Sequence, residues 1–127
     1  MASGETADLG AKAEQLACKL LRSHGLKIKA RNYRTRRGEV DIIAEDGETL
    51  VFVEVRLRSN ARFGGARESI TPRKQQHIIL ASQHYLQQED GNSRPCRFDT
   101  ICLDRKTGAS SSDAEWIKDA FSSGAGW

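Results

Sequence analysis

Apolar residues recur along the chain in two periods. Between residues 6 and 23, Leu9, Ala13, Leu16, Ala17, Leu20 and Leu21 return at three- and four-residue spacing. That spacing predicts an amphipathic helix, with Gly25 as its stop. Residues 27–34 alternate weakly and read as a strand; 39–45 and 49–58, rich in Val, Ile and Phe, read as two more. The Asp46-Gly47 pair between them predicts a tight hairpin. "SNARFGGARES" reads as a polar, mobile loop. Thr71 and Pro72 then cap and open a helix running to about Gln88, with Ile78, Ile79, Ser82, Tyr85 and Leu86 as its buried stripe. "EDGNSRP" breaks it, "CRFDTICL" is a fourth strand, and "DRKTGASSSD" is a loop. "AEWIKDAF" reads as a short closing helix and "SSGAGW" as a frayed tail. The expected core is α-β-β-β-α-β in one α/β domain, with no repeat and no dividing linker.

The hairpin carries acids inside an apolar stretch, where charges seldom sit unless paired or bound to a metal. With Asp46 and Gly47 as the loop, Glu45 faces Glu48, Asp41 faces Phe52 and Glu39 faces Glu54. Glu39, Asp41 and Ile43 then share a face with Leu50, Phe52, Glu54 and Arg56. Asp41 and Glu54 become diagonal neighbours, roughly 7–8 Å apart by backbone position. Two carboxylates at that separation can converge on one divalent ion, whose oxygen bonds are about 2.0–2.6 Å. A three-residue loop would shift the register and part them. The competing explanation is an ion pair of Arg56 with Glu54 or Asp41. On the opposite face Val51, Val53, Val55 and Leu57 need a covering layer. Glu14 sits at the edge of the first helix's apolar stripe, either reaching across onto the sheet or as an ordinary boundary glutamate. Gln75 heads the second helix's stripe, with Lys74 at its edge. Either a site contact or a backbone cap accounts for Gln75.

Composition adds little until charge is placed along the chain. A length of 127 residues suits one core. No run of about 18 apolar residues exists, and the first ten residues lack a secretory pattern, so a cytoplasmic, non-membrane protein is expected. Cys18, Cys96 and Cys102 are widely spaced and suit packing in a reducing compartment rather than a zinc site. His24, His77 and His84 read as surface or core residues. Net charge is +3 but uneven. Residues 27–37 hold six basic groups and no acid, among them Lys29, Arg31, Arg34, Arg36 and Arg37. A second group comprises Arg56, Arg58, Arg62, Arg67, Arg73 and Lys74. Two basic clusters around an acidic centre suggest a polyanion guided to a metal, against the alternative of an ordinary solvated surface. Few aromatics accompany them, which favours duplex or branched DNA over a stacked single strand.

The segments "GAKAEQLACKLLRSHG", "RNYRTRRGEVDIIAEDGETLVFVEVRLRS", "FGGARESITPRKQQ" and "RFDTICL" resemble the YraN-like uncharacterised protein family, from about Gly10 to Phe121. That family looks like part of the PD-(D/E)XK nuclease superfamily, with the restriction-endonuclease-like fold and an architecture close to archaeal Holliday-junction resolvases. The resemblance implies a mixed central sheet flanked by helices and a Mg²⁺- or Mn²⁺-dependent DNA endonuclease. It places Asp41 and Glu54 at the metal-binding acid positions and Glu14 at the accessory helix acid. Lys74 and Gln75 fall where the later helix contributes a polar group. The superfamily pattern is acid-x-lysine, and here Arg56 stands where the lysine is expected. Ala13 stands where the family usually has glycine. An arginine cannot serve as a general base but can clamp negative charge. The alternative reading is therefore a nucleic-acid-binding module that has lost cleavage; a further one is a protein-interaction domain whose acids pair with arginines. Resolvase-like action would need a homodimer, and no unambiguous interface stands out.

Overall fold

A computed structural model describes residues 2–58, 70–89, 94–104 and 114–123, with side chains from Leu9 onward but not that of Arg58. The "SNARFGGARES" loop, with Arg62 and Arg67, lies outside the described residues, as do "DRKTGASSSD" beyond Asp104 and the last four residues of the tail. The order is α1 (Ala2–Ser23), β1 (Lys27–Arg34), β2 (Glu39–Asp46), β3 (Thr49–Arg58), α2 (Pro72–Gln88), β4 (Cys96–Asp104) and β5 (Glu115–Phe121). The strands form one sheet in sequence order, antiparallel except for the parallel pair β3–β4. A parallel pair needs a crossover, and α2 supplies it.

Alternation divides the sheet into two apolar faces. Ile42, Ala44, Val51, Val53, Ile101 and Leu103 pack against Ala13, Ala17, Cys18 and Leu21 of α1. Ile43, Leu50, Phe52 and Phe98 pack against Ile78, Ile79, Ala81 and Leu86 of α2. The cover that the β3 valines require is thus α1, and the sheet is buried on both sides, as parallel strands need. Thr71 caps α2 by accepting the Lys74 N–H at 3.1 Å, which starts the helix beside the end of β3. No helix among the described residues is long and apolar enough to cross a membrane. The cysteines are free thiols.

The hairpin register differs from expectation. Asp46 pairs with Thr49 and Glu45 with Leu50, so Gly47 and Glu48 form the loop. Gly47 has φ 62, while Glu48 is not among the positive-φ residues. A positive φ at the first loop residue only marks a II′ turn, which puts glycine first. An Asp46-Gly47 loop of type I′ would force aspartate into the left-handed region as well. The correction slides the pairing by two residues, so the slip by itself moves no side chain to the other face.

The closing segment is a strand, not the expected helix. Trp116, Ile117, Ala120 and Phe121 have helical spacing, yet Trp116 packs on the α1 face and Phe121 on the α2 face. A helix would present both on one side. The strand is bent between its pairings Thr100↔Ile117 and Phe98↔Phe121, with Asp119 at φ 54. The buried carboxylate of Asp99 holds that bend. It accepts from Trp116 Nε1 at 2.9 Å, from the Asp119 N–H at 2.9 Å and from Arg97 Nε at 3.0 Å.

The β1–β2 loop is clamped onto α2 at one glycine. A Cβ built on Gly38 would overlap the carbonyl oxygen of His77, a backbone atom that cannot swing aside. Gly38→Ala is therefore expected to destabilise the protein by about 1–3 kcal/mol. Urea denaturation checks this; a midpoint equal to that of the unaltered protein would refute the clamp.

Candidate metal centre

Through most of the hairpin, side chains alternate regularly; at the level of Asp41 they do not. On β2, Ile42 belongs to the α1 face, but Val40, two residues away, packs with the α2 face. On β1, Arg31 turns toward α1, where it meets Glu14, while Tyr33 packs toward α2. The switches fall at Asp41 and at Asn32, which has φ 53. Asparagine tolerates that left-handed geometry better than most residues. The β2–β3 ladder ends at Ile42↔Val53. Beyond it the Asp41 carboxylate accepts the Val55 N–H at 2.8 Å, standing in for a backbone partner.

Continuing the register by one residue sets Asp41 beside Glu54, directly opposite rather than diagonal. Glu54 is 4% exposed. The two carboxyls lie close enough to act on each other. Burial, then the Glu54 charge, pushes the Asp41 pKa up to about 8. Half-buried Asp41 thus holds a proton beside the buried Glu54, where a bound cation would let it ionise. Beside Glu54 in the parallel register lies Thr100, fully buried, with its Oγ1 lacking a hydrogen-bond partner. Oxygen donors of this kind suit Mg²⁺, which is commonly held by one or two carboxylates plus substrate phosphates. Among the described residues, no three His, Cys, Asp or Glu side chains gather into a fuller protein cage. The pair and the orphaned hydroxyl fit a small hard cation of that kind.

Cations already border the pair. Lys74 Nζ lies 3.4 Å and Arg56 Nη1 3.7 Å from Glu54 Oε2. The Arg56–Glu54 ion pair anticipated from sequence therefore exists alongside the meeting of the acids. Glu14 is half-buried, with Arg31 Nη2 at 3.6 Å. Burial and then the nearby Asp41 charge raise its pKa. Gln75 donates to the Ile70 carbonyl at 3.1 Å, so its amide nitrogen serves as a backbone cap.

A family model described as uncharacterised protein family UPF0102 matches residues 13–103, spanning both acids and Lys74. The chain belongs to UPF0102. A UPF0102 protein of Nitrosococcus oceani is 50% identical over 115 residues, covering 90% of this chain and 91% of that protein. One from Pseudomonas aeruginosa is 48% identical over 115 residues, covering 90% and 92%. One from Methylobacillus flagellatus is 50% identical over 114 residues, covering 90% and 96%. The YraN-like resemblance of the sequence is thereby a membership.

In this UPF0102 protein the basic residues fall into separate places. Arg34, Arg36, Arg37 and Lys74 line one cavity of about 390 Å³ with His77. Thr35 organises that loop, its Oγ1 accepting the Arg37 and Gly38 N–H groups at 3.2 Å. Arg34 is paired to Glu39 at 3.1 Å; both are well exposed, so the pair holds the arginine only weakly. Arg73 is exposed on α2, and Lys29 lies 4.0 Å from Glu45. Arg62 and the side chain of Arg58 lie outside the described residues. Sequence reasoning missed Thr100. A lone hydroxyl in the apolar run "RFDTICL" was its only signal.

Proposed function

We propose that this UPF0102 protein is a metal-dependent DNA endonuclease of the PD-(D/E)XK type. The observation that supports this most is the Asp41–Glu54 carboxyl pair, set side by side at the point where β2 leaves β3 and bordered by Lys74 and Arg56. A Mg²⁺ or Mn²⁺ ion held by Asp41 and Glu54 would polarise the scissile phosphate and ease ionisation of the attacking water. The other roles belong to the chain itself. The Val55 N–H orients the Asp41 carboxylate. Arg56 and Lys74 place positive charge where the phosphoryl oxygens gain negative charge. Lysine, unlike arginine, is a residue type that can serve as a general base. Glu14 is a second acid close to Asp41, held in place by Arg31. The Arg34–Arg37 loop holds backbone phosphates, an attraction that weakens with salt.

A second reading has its own support. Glu54 already has two cations within 4 Å, and Arg56 replaces the expected lysine. A binding module without cleavage would show salt-sensitive DNA binding that survives Asp41→Ala and Glu54→Ala. The deciding experiment incubates purified protein with labelled linear, flapped and four-way DNA in Mg²⁺ or Mn²⁺. Cleavage that either alanine substitution abolishes is the expected result. Intact DNA throughout, with binding retained, selects the module instead.

A further inference from the structure

The basic run from Lys27 to Arg37 does not stay together. Arg34, Arg36 and Arg37 go to the α2 side. Arg31, beyond the switch at Asn32, turns to α1 and lines a cavity of about 420 Å³ with Lys12, Lys19 and Arg22. Those three α1 residues lie at steps of seven and three along the helix, which returns each to the same side. All three are exposed. Lys12 and Arg22 stand about 15 Å apart along the axis at 1.5 Å per residue. The cavity's lining contains no acid. None of the three forms an ion pair with another described residue, and the adjacent Glu14 is taken by Arg31 at 3.6 Å. Three lysine or arginine side chains on one helical stripe usually signify only a solvated face. Here a fourth cation arrives from β1 and leads, through Glu14, to the Asp41–Glu54 pair.

We infer that the α1 groove is a second phosphate-binding track for nucleic acid, on the sheet face opposite the Arg34–Arg37 loop. This rests on the nucleic-acid reading above and extends it to Lys12, Lys19 and Arg22. A straight duplex lies along one side of so small a domain. Backbone contacts on both faces of the sheet call for DNA whose arms diverge around the carboxyl pair, so a branched duplex is the preferred ligand.

The test measures binding of a fluorescent four-way junction and a linear duplex of equal length, in EDTA so that no cleavage intrudes. The variants are Lys12→Gln/Lys19→Gln/Arg22→Gln, Lys19→Gln alone as a milder change, and Arg36→Gln/Arg37→Gln for the other face. Removing one cation from a phosphate flattens the log–log salt dependence by about 0.9, so the triple variant should show a slope smaller by about two to three units and the single variant by about one. Junction affinity of the triple variant should fall about tenfold or more, and duplex affinity by less. Junction binding with unchanged slope in both α1 variants, while Arg36→Gln/Arg37→Gln weakens it, overturns the second track. So does an equal loss for duplex and junction, or failure of the unaltered protein to hold either DNA at low salt. Failure of cleavage alone removes the endonuclease reading and leaves this inference standing on the binding data.

Discussion

Asp41→Asn should melt at a higher temperature than the unaltered protein at pH 8 without metal, and at the same temperature near pH 4. The cause is the proton that burial and Glu54 hold on Asp41, whose pKa rises from 3.8 to about 8 on folding. The folded state binds that proton more tightly than the unfolded chain. The stability tied to it is complete below the unfolded value and is lost as pH climbs toward 8. Asparagine cannot ionise, yet its oxygen can still accept the Val55 N–H, so the variant escapes the loss. Even a gain of about 2 kcal/mol at pH 8, a fraction of what the full shift would give, corresponds to roughly 6–10 °C in a chain of this size. Divalent ions should act in the opposite sense. At a hundred times its dissociation constant, Mn²⁺ would stabilise the unaltered protein by about 2.7 kcal/mol and the variant hardly at all. Scanning calorimetry from pH 4 to 8, with and without Mn²⁺, reads both effects. Parallel pH curves would show that Asp41 holds no such proton, and an equal shift by Mn²⁺ would show that the pair forms no cation site.

What could be read from sequence follows from which interactions are local. The two helices, four strands and both apolar faces came from periodicity. The convergence of Asp41 and Glu54 came from counting along one hairpin. That count was off by two because the turn type depends on which loop residue takes positive φ, and "EDGE" does not say. The error was harmless to the face assignment because two is an even number. Thr100 was hidden because its place beside Glu54 depends on a parallel register set across α2. The segment 114–121 misled because its spacing fits a helix, while its fold is dictated by Asp99, a buried acid fifteen or more residues earlier in the chain. The division of the basic run was invisible because it turns on one residue, Asn32, at φ 53. Regular patterns carried the frame; the candidate site formed where the pattern breaks.

Lys74→Met is expected to slow cleavage by about 10²-fold or more at saturating DNA, and Arg56→Lys to speed it. Both cations touch Glu54, at 3.4 Å and 3.7 Å, so simple charge neutralisation does not separate them. Proton chemistry does. Arginine keeps its proton at every pH a protein survives, whereas lysine belongs to the residue types that exchange one in catalysis. Arg56 follows Glu54 by two residues on β3 and shares its face, so a lysine there would stand where the proposed nuclease reading wants one. In the protein as it is, Lys74 reaches the same carboxylate from the first turn of α2. Lys74→Arg tells charge from proton transfer: it keeps the cation and removes the exchangeable base. Inactive Lys74→Arg with normal DNA binding assigns the proton to Lys74, and active Lys74→Arg assigns it only a clamping role beside Arg56. Lys74→Met cutting at the original rate would remove Lys74 from the reaction altogether. The acid pair would then have no titratable cation within reach among the described residues, and the binding module would become the better account of this fold.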